Sequence, residues 1–191
     1  KDPSKGNETY GNDRREILSK FLEIPLEKVH TTEHHKAHAN YSYFGSGFRG
    51  KKTLALTVDA HGDGKNATIG IFDEDGNYQR KWSTDQCPLA RYYRYATLIS
   101  GMKPNEHEYK LMGLAPYGKE KYGLAALNHY RATMEVDGLE FKWKERPEDS
   151  YYWFREKFHG ERFDNVAWAI QTFVEESLEK WTVNAVKEFG I

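Results

Sequence analysis

A chain of 191 residues is long enough to bury a core, as one domain or as two small lobes sharing an interface. Its charges almost cancel, Lys+Arg 28 against Asp+Glu 29, so it lacks the electrostatic footprint of a nucleic-acid or anionic-membrane binder. No run approaches the roughly 18 consecutive apolar residues of a membrane span, and the lone Cys87 excludes an internal disulfide framework and fits a reducing compartment. The expected location is cytoplasmic. The opening Lys1-Asp-Pro-Ser-Lys-Gly-Asn lacks both a Met and the apolar stretch of a signal peptide, so the chain reads as a piece of something longer.

Residues 1–12 are polar and turn-rich and read as a frayed lead-in. From Asp13, placed as an N-cap, Ile17, Leu18, Phe21 and Leu22 recur at helical spacing and predict a short amphipathic helix. After Pro25 and an extended run at Val29-His-Thr-Thr, a second helix is predicted through about Phe44, ended by Gly45-Ser-Gly47. Thr53 to Val58 and Ala67 to Phe72 are apolar, partly β-branched runs joined by a glycine-containing bend. They predict a hairpin, with Asn77 to Trp82 as a third strand. Helices are then expected after Pro88 to Gly101, from Pro104 through Met112, and over 119–134. Residues 137–162, rich in Trp, Tyr and charge without a clean period, read as an irregular insertion or lid. A long amphipathic helix from about Asp164 closes the chain.

Three segments have residues suited to chemistry. In Thr31-Thr-Glu-His-His-Lys-Ala-His-Ala39, His34 and His38 stand four apart, so on a helix both imidazoles leave one face and can close on a single ion. His35 offers a second pairing with His38, and a solvated helix start is the plain alternative. Asp59-Ala-His-Gly-Asp-Gly64 brings two carboxylates, and two glycines whose backbone can turn amides toward an anion. It is equally an ordinary Asp/Gly hairpin turn, and it lacks the Gly-Lys-Ser/Thr of a Walker loop. Glu108 and Lys110, followed by Gly113-Leu-Ala-Pro-Tyr-Gly118, could meet a nucleotide or form the solvated side of a short helix.

Taken in order, Glu33-His-His-Lys-Ala-His-Ala39, Leu56-Thr-Val-Asp-Ala-His-Gly-Asp-Gly64 and Asn105-Glu-His-Glu-Tyr-Lys-Leu-Met-Gly-Leu-Ala-Pro-Tyr-Gly118 resemble the ATP-dependent O-carbamoyltransferases. The tRNA threonylcarbamoyl-adenosine synthases are more distant cousins that share the His-x-x-x-His. The resemblance implies an α/β, actin-like or sugar-kinase-like fold of ribonuclease H-like lobes. Residues 1–52 would end the first lobe, and residues 53–191 would begin the second. It implies His34, His38 and Asp59 as ligands of a divalent metal, iron in the family, although imidazole and carboxylate equally suit zinc, manganese or nickel. It places Asp59, Gly62, Asp63, Gly64, Glu108 and Lys110 at ATP or a carbamoyl-adenylate made from ATP and carbamoyl phosphate. The implied reaction is carbamoyl transfer to a hydroxyl of a small molecule or sugar. His35 and His61 are the nearby candidates to take the hydroxyl's proton, and a supporting or surface role is the alternative for each. Against the family pattern, Ala60 stands where a glycine is common. The family's opening phosphate turn and its C-terminal half are also absent from the sequence, and non-catalytic nucleotide or metal binding, or a plain interaction domain, are the other readings.

Overall fold

The computed structural model describes residues 6–191. It is an α/β arrangement in which a small antiparallel sheet is flanked by helices. The first helix, α1, runs Gly6–Leu22, so the helix starts well before Asp13. No proline interrupts that stretch, and Gly11 costs only about 1 kcal/mol in a helix interior, so the turn-rich composition of 6–12 does not prevent propagation. The rest of the expected lead-in, residues 1–5, lies outside the described residues. Ile17, Leu18, Phe21 and Leu22 remain exposed on α1, which is held to the following turn by Arg15, whose Nε donates to the Val29 carbonyl at 2.6 Å.

Helix α2 spans His34–Phe44 and is capped by Glu33, whose carboxylate accepts from the Lys36 N–H. Strands β1 (Thr53–Gly62), β2 (Lys65–Phe72) and β3 (Tyr78–Thr84) pair antiparallel in sequence order. β1 extends four residues beyond the expected stop at Val58. A two-residue turn, Asp63 (φ 49°) and Gly64 (φ 75°), joins it to β2, and both angles lie in the left-handed region that Asp-Gly hairpin turns use.

The sheet has two unlike faces. Alternation sends Leu54, Leu56 and Val58 of β1, with Ala67 and Ile69 of β2, into the main apolar core. Helices α3 (Leu89–Ile99) and α7 (Phe163–Phe189) complete that core with α5 (Glu120–Thr133), and α4 (Glu108–Leu114) packs on α3 and α7. Rings fill it: Trp181 contacts Trp82 and Phe141, and Tyr130 contacts Tyr92, Phe154, Phe158 and Phe173. The opposite face takes α2 through a smaller cluster of Ala39, Tyr43 and Phe72, with Tyr43 stacked on Phe72 at 4.1 Å between ring centroids.

The stretch expected to be irregular has regular structure. Strands β4 (Met134–Asp137) and β5 (Glu140–Trp143) form a hairpin, and α6 (Ser150–Lys157) follows. Four-residue strands are too short to show a period in sequence, yet Phe141, Phe154 and Phe158 are buried in the core. Among the described residues no helix is long and apolar enough to cross a membrane.

Candidate metal centre

The α2 face of the hairpin gathers the histidine segment. His34 and His38, one helical turn apart, project toward β1, where Asp59 rises to meet them. His34 Nε2 lies 2.5 Å from Asp59 Oδ2 and 3.1 Å from His38 Nε2, and His38 Nε2 lies 3.4 Å from the same oxygen. The three donor atoms are all within 4.8 Å of one another. Burial pushes the Asp59 carboxyl up, but the His34 ring, the Ala60 N–H and His38 outweigh it and hold the group below its ordinary value. Two neutral imidazole nitrogens in contact can hold one proton between them, and the carboxylate competes for it. Donors about 2.0–2.2 Å from a shared ion stand roughly 3 Å or more apart, so the set could hold a divalent metal once the 2.5 Å contact between His34 and Asp59 opens.

A β-bulge produces the aim. Val58 pairs with Ala67 and Gly62 with Lys65, so Asp59, Ala60 and His61 stand opposite Asn66 alone. Strict alternation would put Asp59 and Gly62 on opposite faces, but the bulge turns both toward α2. A Cβ on Gly62 would run into the His34 ring, so only glycine lets the ring settle there. His61 is turned away to the α3 side, exposed, where it lines a cleft.

The remaining expected residues are distributed differently. His35 is fully buried beneath the cluster, with Nδ1 2.8 Å from the Thr57 hydroxyl and Nε2 3.2 Å from the Lys65 carbonyl. Thr68 continues the chain of hydroxyls, 2.7 Å from Thr57. The Lys65 carbonyl requires a proton on Nε2, so in the neutral ring Nδ1 accepts from Thr57. Burial is the main cause that holds the His35 pKa below its usual value. With both nitrogens engaged and no exposure, His35 pins α2 to the sheet and is closed to an acceptor hydroxyl. Asp63 accepts from the backbone N–H of His34 at 2.8 Å, tying the hairpin turn to the start of α2. Gly64 completes that turn. Glu108 accepts from the Asn105 N–H at 2.6 Å, and Lys110 places its ammonium 5.8 Å from the Tyr109 ring, so neither joins the metal cluster.

Sequence reasoning passed over Glu33, which caps α2 and pairs with Arg80 of β3, with Lys65 3.8 Å away. An acidic residue directly before a helical run was the available signal. Nothing in the sequence marked Thr57 and Thr68 as partners of His35, because each alone is an ordinary strand residue.

The family model described as the carbamoyltransferase N-terminus matches residues 8–191. The chain belongs to this family. An uncharacterized protein of Synechocystis sp. is 39% identical over 92 residues, covering 47% of this chain and 14% of that protein. An uncharacterized protein of Methanocaldococcus jannaschii is 28% identical over 195 residues, covering 92% of this chain and 31% of that protein. The family chain described here therefore spans under a third of the length of either relative.

Proposed function

We propose that this chain is the metal- and nucleotide-binding part of an ATP-dependent O-carbamoyltransferase, built on an actin-like pair of ribonuclease H-like lobes. The reaction moves a carbamoyl group from a carbamoyl-adenylate, itself made from carbamoyl phosphate and ATP, to a hydroxyl of a small molecule or sugar. The observation that carries this reading is the meeting of His34, His38 and Asp59 in a chain of the carbamoyltransferase N-terminal family.

Bound by those three residues, a divalent metal, iron by the family resemblance, supplies a Lewis acid for the negative charge that grows on oxygen during transfer. The protein's part is to hold the donors in place before reaction. His35 and its threonines fix the height of α2 above the sheet, Gly62 sets how closely the His34 ring approaches the strand, and Asp59 orients that ring. The turn of Gly62, Asp63 and Gly64 offers backbone amides to a nucleotide phosphate, and the Asp63–His34 hydrogen bond couples that turn to the metal helix. Of the two expected bases, His35 is closed off and His61 faces the α3 side, away from the metal donors, so neither is assigned the proton of the acceptor hydroxyl. Glu108 and Lys110 are assigned no step.

Isothermal titration of ATP into the iron-loaded chain, beside a His34→Ala/His38→Ala variant, tests this reading. Saturable binding that weakens in the variant supports it, as does carbamoyl transfer by the full-length protein that is lost on Asp59→Asn. Indistinguishable titrations and an unaffected Asp59→Asn enzyme would sink it.

A further inference from the structure

Two β-bulges interrupt the three-stranded sheet, and each turns a charged side chain toward α2. The first, in β1, aims Asp59. The second lies in β3, where Ile69 pairs with Trp82 and Gly70 with Arg80, leaving Lys81 without a partner. Strict alternation would put Tyr78, Arg80 and Trp82 on one face of the strand. Instead Trp82 packs into the main core, Tyr78 joins the small cluster beneath α2, and Arg80 reaches Glu33 at the start of that helix.

The carboxylate that Arg80 meets is the cap of the metal helix. Glu33 Oε2 accepts from the Lys36 N–H at 2.7 Å and from Arg80 Nη2. From the other side, Asp63 Oδ2 accepts from the His34 N–H at 2.8 Å. Two N–H groups in the first turn of α2 are thus tied to the sheet, one through β3 and one through the β1–β2 turn. His34 stands where both anchors act. The Glu33–Arg80 pair is shielded better than an ordinary surface pair: both side chains are 27% exposed, against 42% and 43% for Arg131 and Glu176. Arg80 Nε and Glu33 Oε1 are sealed from solvent without a hydrogen-bond partner, and Lys65 Nζ, 3.8 Å from Glu33 Oε1, is too distant to replace the guanidinium. Without Arg80 the Glu33 carboxylate would be left half-buried with no close counter-charge, which favours its swinging away from Lys36 into water. Neither residue belongs to the donor cluster itself.

We propose that Arg80 is a positioning residue of the metal centre: through Glu33 it locks the first turn of α2 and so fixes where His34 stands relative to Asp59. The proposal rests on the metal-centre reading above and adds to it a residue from the far strand of the sheet. The bulge in β3 serves the site as the bulge in β1 does, one aiming a donor and the other aiming the anchor of a donor's helix.

Cobalt(II) titration of the metal-stripped full chain, followed by visible absorption, tests this on the wild type, Arg80→Gln, Arg80→Lys, Glu33→Gln, the Arg80→Gln/Glu33→Gln double variant and Arg131→Gln. Arg80→Gln should weaken cobalt binding about ten-fold or more, the usual cost of losing a residue that supports a ligand. Arg80→Lys, which keeps the charge, should recover most of the affinity and guards against a folding defect in the glutamine variant. The double variant should bind little worse than Glu33→Gln alone, because the arginine acts through that carboxylate. Arg131→Gln, which breaks an ion pair between α5 and α7, should bind as the wild type does. Amide hydrogen exchange of the metal-free chain gives a second readout: the Lys36 N–H should exchange about ten-fold faster in Arg80→Gln, with the α7 amides unchanged. An unaltered cobalt affinity in Arg80→Gln, or an equal loss in Arg131→Gln, overturns the positioning role and leaves the metal centre standing. Unchanged exchange at Lys36 overturns the anchor itself. A wild type that binds no cobalt overturns the metal centre, and the positioning role with it.

Discussion

The two faces of the three-stranded sheet are built from the same strands to opposite ends. Toward α3, α5 and α7, β1 and β2 present Leu54, Leu56, Val58, Ala67 and Ile69 to a dry core of stacked rings. Toward α2, the alternate positions Thr57, Asp59 and Thr68 meet histidines, and the apolar part is only Ala39, Tyr43 and Phe72. The first face supplies stability through buried area. The second spends little area and instead fixes polar atoms, which is what a site needs if its donors are to be held before a ligand arrives. Stability and ligand binding should therefore be separable by mutation, except at the residues that join the faces.

The largest effect on stability is expected at Trp181, fully buried between Trp82 and Phe141, with its indole N–H donating to the Leu139 carbonyl at 3.1 Å. Trp181→Ala should cost about 3–5 kcal/mol in urea denaturation, from lost burial plus the cavity left behind. His35→Ala joins the two faces: it should cost about 2–3 kcal/mol, because it leaves the Thr57–Thr68 hydroxyls and the Lys65 carbonyl short of a partner, and it should also weaken metal binding. His38→Ala, exposed, should change stability by under about 0.5 kcal/mol while removing a metal ligand. If His38→Ala unfolded the chain and His35→Ala did not, the division of labour would be reversed.

How much of this was legible follows from the same division. Helical spacing exposed the His34 and His38 pair, and two apolar runs around a glycine-containing bend announced the hairpin, because both signals are local in sequence. The long α7 was equally plain from its apolar stripe. The bulge was not: three residues facing Asn66 alone is a property of pairing, and it decides that Gly62 joins the metal face while His61 leaves it. His35 reads as a third member of a histidine cluster until its position one residue around the helix turns it into the sheet. The β4–β5 hairpin and α6 were hidden because strands of four residues leave no period to read, and their assignment comes from the core they cover.

Acid should loosen the α2 face. Burial works to raise the Glu33 carboxyl, but the Lys36 N–H, Arg80 and Lys65 hold it below the ordinary 4.5. A carboxyl depressed in the folded state contributes stability that is present above about pH 4.5 and is lost as pH falls through the folded pKa. His35, depressed below 6.5 mainly by burial, acts in the same direction, its contribution complete above that value and declining as pH falls below it. Denaturation followed from pH 7 down to about pH 2 should show this decline, and Glu33→Gln should flatten the part below pH 4.5. An unchanged slope in the variant would remove Glu33 from the explanation.

The smallest effect belongs to Cys87, whose thiol burial pushes up to about 12. The native chain should resist alkylation at neutral pH and become reactive only when unfolded. Rapid labelling of the folded protein would show that the β3–α3 loop opens far more readily than its burial implies.

Metal content of the purified chain, measured by inductively coupled plasma mass spectrometry beside His38→Ala and Asp59→Asn, tests the central claim most directly. One transition-metal ion per chain, lost in both variants while all three chains, stripped of metal, keep the same circular dichroism spectrum, is the expected result. A metal-free wild type after exposure to iron, or full occupancy in both variants, would contradict the assignment of the α2 face as a metal centre.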